Sequence, residues 1–502
     1  MIVPFPFVDI TALKWYIIKY KNKNVFIDWE EVMKKRFLAL GLAIAMCFAG
    51  CGKGGEQNTD GNTVSGAAVS DGTAQETLSA DAGETAPATD ETTPATDAEE
   101  ETPLPVKELT MLKAVGKNVY DNHGEGDLVQ LRGVNIGGWL FQEFWMTPTD
   151  SSSHIYAELD IYNYLMNTYG EETLDEIIKT YQDAYFTEED FDRCQKMGMN
   201  CLRLPFWYLN IVDMEGNVRE DWYARFDWFI ENAKERGMYV ILDFHGAPGS
   251  QNGSDHSGVD GGSNKMGASR FFFGSDNKAN QELFYSIWEE IATRYKDEPA
   301  VAGYDLMNEP FCTYRYNMPI SDQAIHEELW RIYDEAYDRI RAIDPDHIIL
   351  MEATWDPVDL PDPADYEWTN VMYQYHNYLY DDYDNLAGKQ ITNMEDKLLK
   401  IKVADYDVPS LMGEFNYMNS FDAWEEGLAL LNEEGIHWTM WTYKTTSGNW
   451  GLVNQSIGEI RLESKTDTEI IEFYKRVGEC YENTALINVV SEALKAEPVA
   501  MD

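Results

Sequence analysis

Cysteine is scarce in this chain, with six in 502 residues. Cys47 and Cys51 fall early, and Cys194, Cys201, Cys312 and Cys480 lack the paired spacing of a zinc site. Cys194, on a helical pattern, and Cys201, in an apolar run, are expected as buried free thiols, with a disulfide after export as the alternative. Positive charge is scarce too: 39 Lys and Arg stand against 88 Asp and Glu, for a net charge of −49. Such a field repels nucleic acid and other polyanions and favours a neutral substrate, unless it serves only solubility. Long apolar runs are missing. The uncharged stretch 37–50 is shorter than the roughly 20 residues a membrane helix needs.

That stretch has a different meaning in context. Met33 is followed by Lys34, Lys35 and Arg36, then by the uncharged run, then by Cys51, which together read as a lipoprotein signal peptide over 33–50. Cys51 is the expected lipidation site and first mature residue, tying the protein to a membrane by a lipid anchor and placing it at the cell surface or outside the cell. An ordinary secretory signal, or a buried helix if Met1 is the true start, is the alternative. Residues 1–32 precede this signal and read as upstream sequence from a mis-called start. From 51 to 105 the chain is Gly, Ser, Thr, Ala, Pro and acid, with twelve acidic residues against Lys53 alone, and is expected to be a disordered tether.

Residues 106–502 carry the folded domain. Eight short apolar runs recur, at 131–136, 201–206, 239–246, 301–310, 347–353, 371–378, 409–416 and 437–444. Between several of them lie amphipathic helical patterns, over 222–236, 281–295 and 325–343. Strand and helix alternating eight times predict an α/β fold, a (β/α)8 TIM barrel, with a doubly wound sheet as the runner-up. Polar and aromatic residues gather at the carboxyl ends of the runs, the face on which barrel sites are built.

Two runs end on a glutamate: YDLMNEP brings Glu309 and LMGEF brings Glu414. An ionised carboxylate is costly on a buried strand, so both should face a wet cleft or a cation. Two such groups suggest cleavage of a glycosidic bond by an acid and a nucleophile, which in a retaining enzyme stand about 5–5.5 Å apart. Glu309 is then expected to hold a proton, through desolvation and the nearby charge of Glu414, while Arg203 keeps Glu414 ionised. A purely structural salt bridge is the other reading of Arg203.

RGVNIGGWL, LRLPF, DFHGAPGSQNG, MNEP, HNY, GEF and WTYK occur in the order found in glycoside hydrolase family 5, the cellulase family, which the chain resembles from about 131 to 451. The resemblance implies that Glu309 is the acid/base and Glu414 the nucleophile. It also implies that Trp441 forms an aromatic floor for the sugar and that the amide of Asn308 binds the 2-hydroxyl. His376 and Tyr378 alternate along the sixth run, so both face one side, with Asn377 opposite. Tyr378 is expected to orient Glu414 and His376 to bond near Glu309; satisfied core residues are the bland alternative. His245 opens a loop suited to a sugar hydroxyl. No H-x-H pattern accompanies it, so neither a metal nor another cofactor is expected.

RGVNIGGWLFQEFW and HGAPGSQNG are similar to the exo-β-1,3-glucanase branch of that family, in which a glutamate matching Glu143 closes a pocket. The implied activity is retaining hydrolysis of a β-glucan from its non-reducing end. Phe141 and Phe244 depart from the fungal pattern, and the insertion 253–274 is long enough to turn a pocket into a cleft, so an endo-β-1,4-glucanase stays open. A surface lipoprotein that only binds glycan is a further class, disfavoured by the presence of both carboxylates. Trp139, Trp145, Trp207, Tyr208 and Trp450 are candidates to extend the aromatic platform.

Overall fold

A computed structural model describes residues 106–152, 154–311, 321–380 and 387–501. The signal, the tether, Cys51 and Cys312 lie outside the described residues. The chain enters through a small antiparallel sheet, β1 (Lys113–Val115), β2 (Asn118–Tyr120) and β3 (Leu128–Val129). Gly116 makes its first turn at φ +57°, a conformation open to glycine at little cost.

Eight parallel strands come next, one from each apolar run. They are β4 (Arg132–Asn135), β5 (Cys201–Trp207), β6 (Tyr239–Gly246), β7 (Val301–Asp305), β8 (Ile348–Glu352), β9 (Val371–Asn377), β10 (Ser410–Phe415) and β11 (His437–Met440). β11 pairs with β4, Trp438 opposite Arg132, which closes the barrel and excludes the doubly wound alternative. Nearly every strand residue is buried, because the interior faces itself and the exterior faces helices. The helices Ala224–Glu235, Asn277–Tyr295 and Asp322–Arg341 realise the three amphipathic patterns. Between strands and helices, Trp288 packs on Phe206, Phe244 and Tyr304 at centroid distances of 5.9, 5.8 and 5.7 Å. Aromatic pairs of this kind contribute about 0.5–1.5 kcal/mol each beyond their buried area.

Two irregularities at the barrel rim set the aim of its side chains. Between β5 and β6 the register jumps from Phe206 opposite Phe244 to Trp207 opposite Gly246, leaving His245 as the extra residue. Between β9 and β10 it jumps at Gly413, so that Met412 faces Tyr375 and Glu414 faces His376. A bulge adds one residue and re-aims the side chains around it, which period-two alternation cannot do. At Gly413 a Cβ would come 2.5 Å from Cδ of Gln374, so a larger residue there would have to displace that side chain.

Past the barrel, β12 (Lys444–Thr445), β13 (Val453–Gln455) and β14 (Cys480–Glu482) form a second small sheet. Cys194 and Cys201 are buried free thiols, and Cys480 is a free, partly exposed one. Among the described residues no helix is long and apolar enough to cross a membrane.

Candidate active site

Arg203 leaves β5 fully buried and fans its guanidinium across the carboxyl end of the barrel. Nε meets Oδ2 of Asp305 at 2.8 Å, Nη2 meets Oδ1 of Asp243 at 3.0 Å, and Nη1 meets Oε1 of Glu414 at 3.0 Å. Nη1 also donates to Oδ1 of Asn135 and Nη2 to Oδ1 of Asn308, at 2.8 and 3.0 Å. Burial opposes this charge, but the surrounding carboxylates outweigh it and hold the guanidinium above its usual pKa. The structural and functional readings of Arg203 therefore coincide, since the cation that ties the strands together also faces Glu414.

Glu414 takes its second hydrogen bond from the Tyr378 hydroxyl, 2.9 Å from Oε2. His376, two residues earlier on the same side of β9, places Nδ1 2.9 Å from Oε1 of Glu309 and 3.5 Å from Oε2 of Glu414. Asn377 points the other way, to Asn393. One donor atom each from Glu309, His376 and Glu414 lie within 4.8 Å of one another, so the two carboxyls nearly meet. These are donor types that could hold a metal, yet a guanidinium and a phenol already occupy both oxygens of Glu414, a poor fit for a cation.

Glu309 does not end a strand: β7 stops at Asp305, and Glu309 comes after it in a turn at φ +41°. Left-handed backbone is unfavourable for a residue with a Cβ and persists only when its surroundings impose it. Here the glycine-rich loop after β6 does so. Gln251 Nε2 donates to the carbonyls of His245 and Asn308 at 2.7 and 2.8 Å, and Asn252 Nδ2 donates to the carbonyl of Glu309 at 3.0 Å.

The charge state of Glu309 reverses the expectation. Burial pushes its carboxyl up, but the His376 hydrogen bond and the charges of His256, His376 and His245 outweigh burial and hold it well below the usual carboxylate range. Burial lowers His376, while Glu352, Glu414 and Glu309 raise it to about 9. Both shifts favour the proton of this pair on the imidazole.

The remaining expected residues line one cavity of about 370 Å³ together with Glu309 and Glu414: Glu143, His245, Asn308, Tyr378 and Trp441. The His245 ring stacks on Trp441 at 5.3 Å and 13°, and its Nδ1 lies 2.7 Å from Asp243. Burial lowers the imidazole, but Asp243 above all raises it, to about 10. Asn308 Oδ1 is committed to Arg203, and its Nδ2 lies 3.4 Å from Nε2 of His245. Glu143 accepts from the Trp145 indole at 2.7 Å. Of the wider aromatic set, Trp145 and Trp450 reach the cavity and pack at 4.9 Å. Trp139 and Trp207 are core residues, and Tyr208 does not line the cavity. A larger depression of about 630 Å³ among the outer helices is lined by Asp190, Arg193 and neighbours that already pair with one another.

Sequence reasoning missed Tyr380, Ser447, His256 and Glu352. His256 comes from the insertion after Gly253 and sets Nε2 3.2 Å from Oε2 of Glu309, so this part of the insertion forms a cavity wall. Nothing in its local sequence marks it. Glu352 did carry a signal, a glutamate at the end of an apolar run, the pattern that Glu309 and Glu414 also show.

A closed (β/α)8 barrel with two facing carboxylates at its carboxyl end is the architecture of many glycoside hydrolases. The chain belongs to glycosyl hydrolase family 5: the family profile described as Cellulase matches residues 159–447. A β-xylosidase of Phanerodontia chrysosporium is 30% identical over 274 residues, covering 54% of this chain and 52% of that protein. A glucan 1,3-β-glucosidase of Lachancea kluyveri is 29% identical over 288 residues, 54% of this chain and 60% of that one. The chain thus spans little more than half the length of these relatives. The fold is shared with a rutinosidase from Aspergillus niger, at a TM-score of 0.52 and 17% identity over 69% of this chain and 98% of that structure. An endogalactoceramidase also has a TM-score of 0.52, with 17% identity over 76% and 85%.

Proposed function

We propose that this protein is a retaining β-glucanase that removes glucosyl units from the non-reducing end of a β-glucan, β-1,3-linked by preference. The observation that carries the retaining mechanism is the approach of Glu309 and Glu414 to within 4.8 Å. Inverting enzymes need about 6.5–9.5 Å to admit a water between the carboxyls. Glu414 attacks the anomeric carbon as Glu309 protonates the glycosidic oxygen, and a water activated by Glu309 then breaks the glycosyl ester. Arg203 and Tyr378 hold the nucleophile's two oxygens apart from that proton traffic. Asn308 and His245 are assigned to sugar hydroxyls, Trp441 to the sugar face, and Glu143 to the end of the pocket.

Exo action is supported by Glu143 and Trp145 on one wall of the cavity and by His256 facing Glu309. The β-1,3 preference is supported by the glucosidase named among the relatives. We assign the domain to residues 106–502 and, for 33–105, an exported, tethered lipoprotein anchored through Cys51. Product analysis on laminarin, cello-oligosaccharides and lichenan tests the substrate. Glucose released singly from laminarin supports the reading, and mixed cello-oligomers from cellulose chains would make it an endo-β-1,4-glucanase instead. Binding without any product would leave a glycan-binding protein.

A further inference from the structure

Glu352 closes β8 as a buried carboxyl that the double displacement leaves without a task. Its side chain is 3% exposed, and its own carbonyl is pinned by the Tyr333 hydroxyl at 3.0 Å. Oε2 accepts two N–H groups, the backbone amide of Glu309 at 2.9 Å and Nε2 of Gln374 at 3.1 Å. Oε1 lies 3.4 Å from Nδ1 of His376, the same nitrogen that stands 2.9 Å from Oε1 of Glu309. One imidazole nitrogen therefore stands within 3.5 Å of three carboxyls, those of Glu309, Glu352 and Glu414, of which the first two concern the acid. Because Oε2 is committed as an acceptor, a neutral Glu352 carries its proton on Oε1, aimed at that nitrogen.

We propose that Glu352 is a positioning residue for Glu309, seating its backbone through Oε2 and returning a proton to its carboxyl through His376. The inference rests on the reading of Glu309 as the acid. In the transfer, the Nδ1–H bond of the imidazolium breaks as an O–H bond forms on Oε1 of Glu309, and the freed Nδ1 lone pair takes the proton from Oε1 of Glu352. One proton has moved, Glu309 is neutral, Glu352 is anionic and His376 is a cation as before. When Glu309 later takes a proton from the hydrolytic water, the same transfers in reverse restore Glu352.

The groups around Glu352 suit this task. His376 and Gln374 face it from β9, Arg203 from β5, Asp305 from β7, Glu309 from the turn beyond β7, and Tyr333 from the helix Asp322–Arg341. Burial pushes the carboxyl up; His376 and Arg203 pull it down, Glu309 and Asp305 push it up, and it settles at about 8. It thus holds a proton at neutral pH.

The test is Glu352→Gln in the full chain, which keeps an acceptor for the Glu309 amide and removes the titrating proton. Phenyl β-glucoside needs acid assistance and 2,4-dinitrophenyl β-glucoside scarcely does. The expected result is a kcat/KM loss of about tenfold or more on the phenyl substrate and about threefold or less on the dinitrophenyl one. The alkaline limb of the phenyl profile should also change, because in the wild type it reports loss of the proton that Glu352 supplies, and the variant has none to lose. Equal losses on both substrates with an unchanged profile, or no loss on either, overturn the proposal. Wild-type protein inert on both would instead overturn the glucosidase reading. If the variant does not fold, carboxyl ¹³C NMR of the glutamate-labelled Glu158→Gln chain, which lacks the other glutamate raised to about 8, decides: a glutamate still titrating near 8 supports the proposal, and all of them titrating below about pH 6 contradicts it.

Discussion

The hydroxyl of Tyr378 donates to Oε2 of Glu414 across 2.9 Å, while the other oxygen of that carboxylate is held by Arg203. Two partners on two oxygens fix the plane of the nucleophile, and attack on an anomeric carbon is sensitive to that plane.

Tyr378→Phe should therefore lower kcat by about ten- to hundredfold with little change in KM, the range expected for one hydrogen bond to a charged group at about 1.5–3 kcal/mol. Steady-state kinetics on an aryl β-glucoside checks this. A loss confined to KM would mean that Tyr378 serves binding instead.

Arg203→Met should cost about 3–5 kcal/mol of stability besides abolishing turnover. It leaves Asp243, Asp305 and Glu414 facing one another in a buried space without their shared cation. Denaturant unfolding of the purified variant measures the loss. An unchanged midpoint would show that the carboxyls neutralise one another by taking up protons.

Glu158, which does not line the cavity, gives a pH signature. It is 2% exposed and accepts only a long hydrogen bond, 3.3 Å from the amide of Gln142. Burial, opposed by Gln142, pushes its carboxyl to about 8, above its value in the unfolded chain. The folded state thus binds a proton that the unfolded state has lost, and the contribution of Glu158 to stability falls from about pH 4.5 up to about 8 and then levels. Glu158→Gln removes that dependence. Its melting temperature relative to wild type should rise between pH 4 and pH 8, as read by calorimetry, and a constant difference would contradict the burial account.

The eight barrel strands were legible in the sequence because each is a short apolar run bounded by helical spacing. The two small sheets were not: their strands, such as Lys444–Thr445, are too short to show a period. That His376 and Tyr378 face one side follows from alternation along a single strand, although which glutamate each meets does not. What stayed hidden depends on register between strands. The bulges at His245 and Gly413 insert a residue without leaving a mark on the hydrophobic pattern. His256 reaches Glu309 from a loop whose path no periodicity describes. The charge on Glu309 was misjudged for a related reason: desolvation and Glu414 were visible in the sequence, whereas the three imidazoles that outweigh them are brought together only by the fold.

Double displacement at Glu414 is tested most directly by proton NMR of the first product. With a β-glucan or aryl β-glucoside and enough protein to outrun mutarotation, the β-anomer of the released sugar should appear first and the α-anomer grow in only as the sugar equilibrates. Initial release of the α-anomer would contradict the mechanism, because it requires a water between two carboxyls that approach to within 4.8 Å.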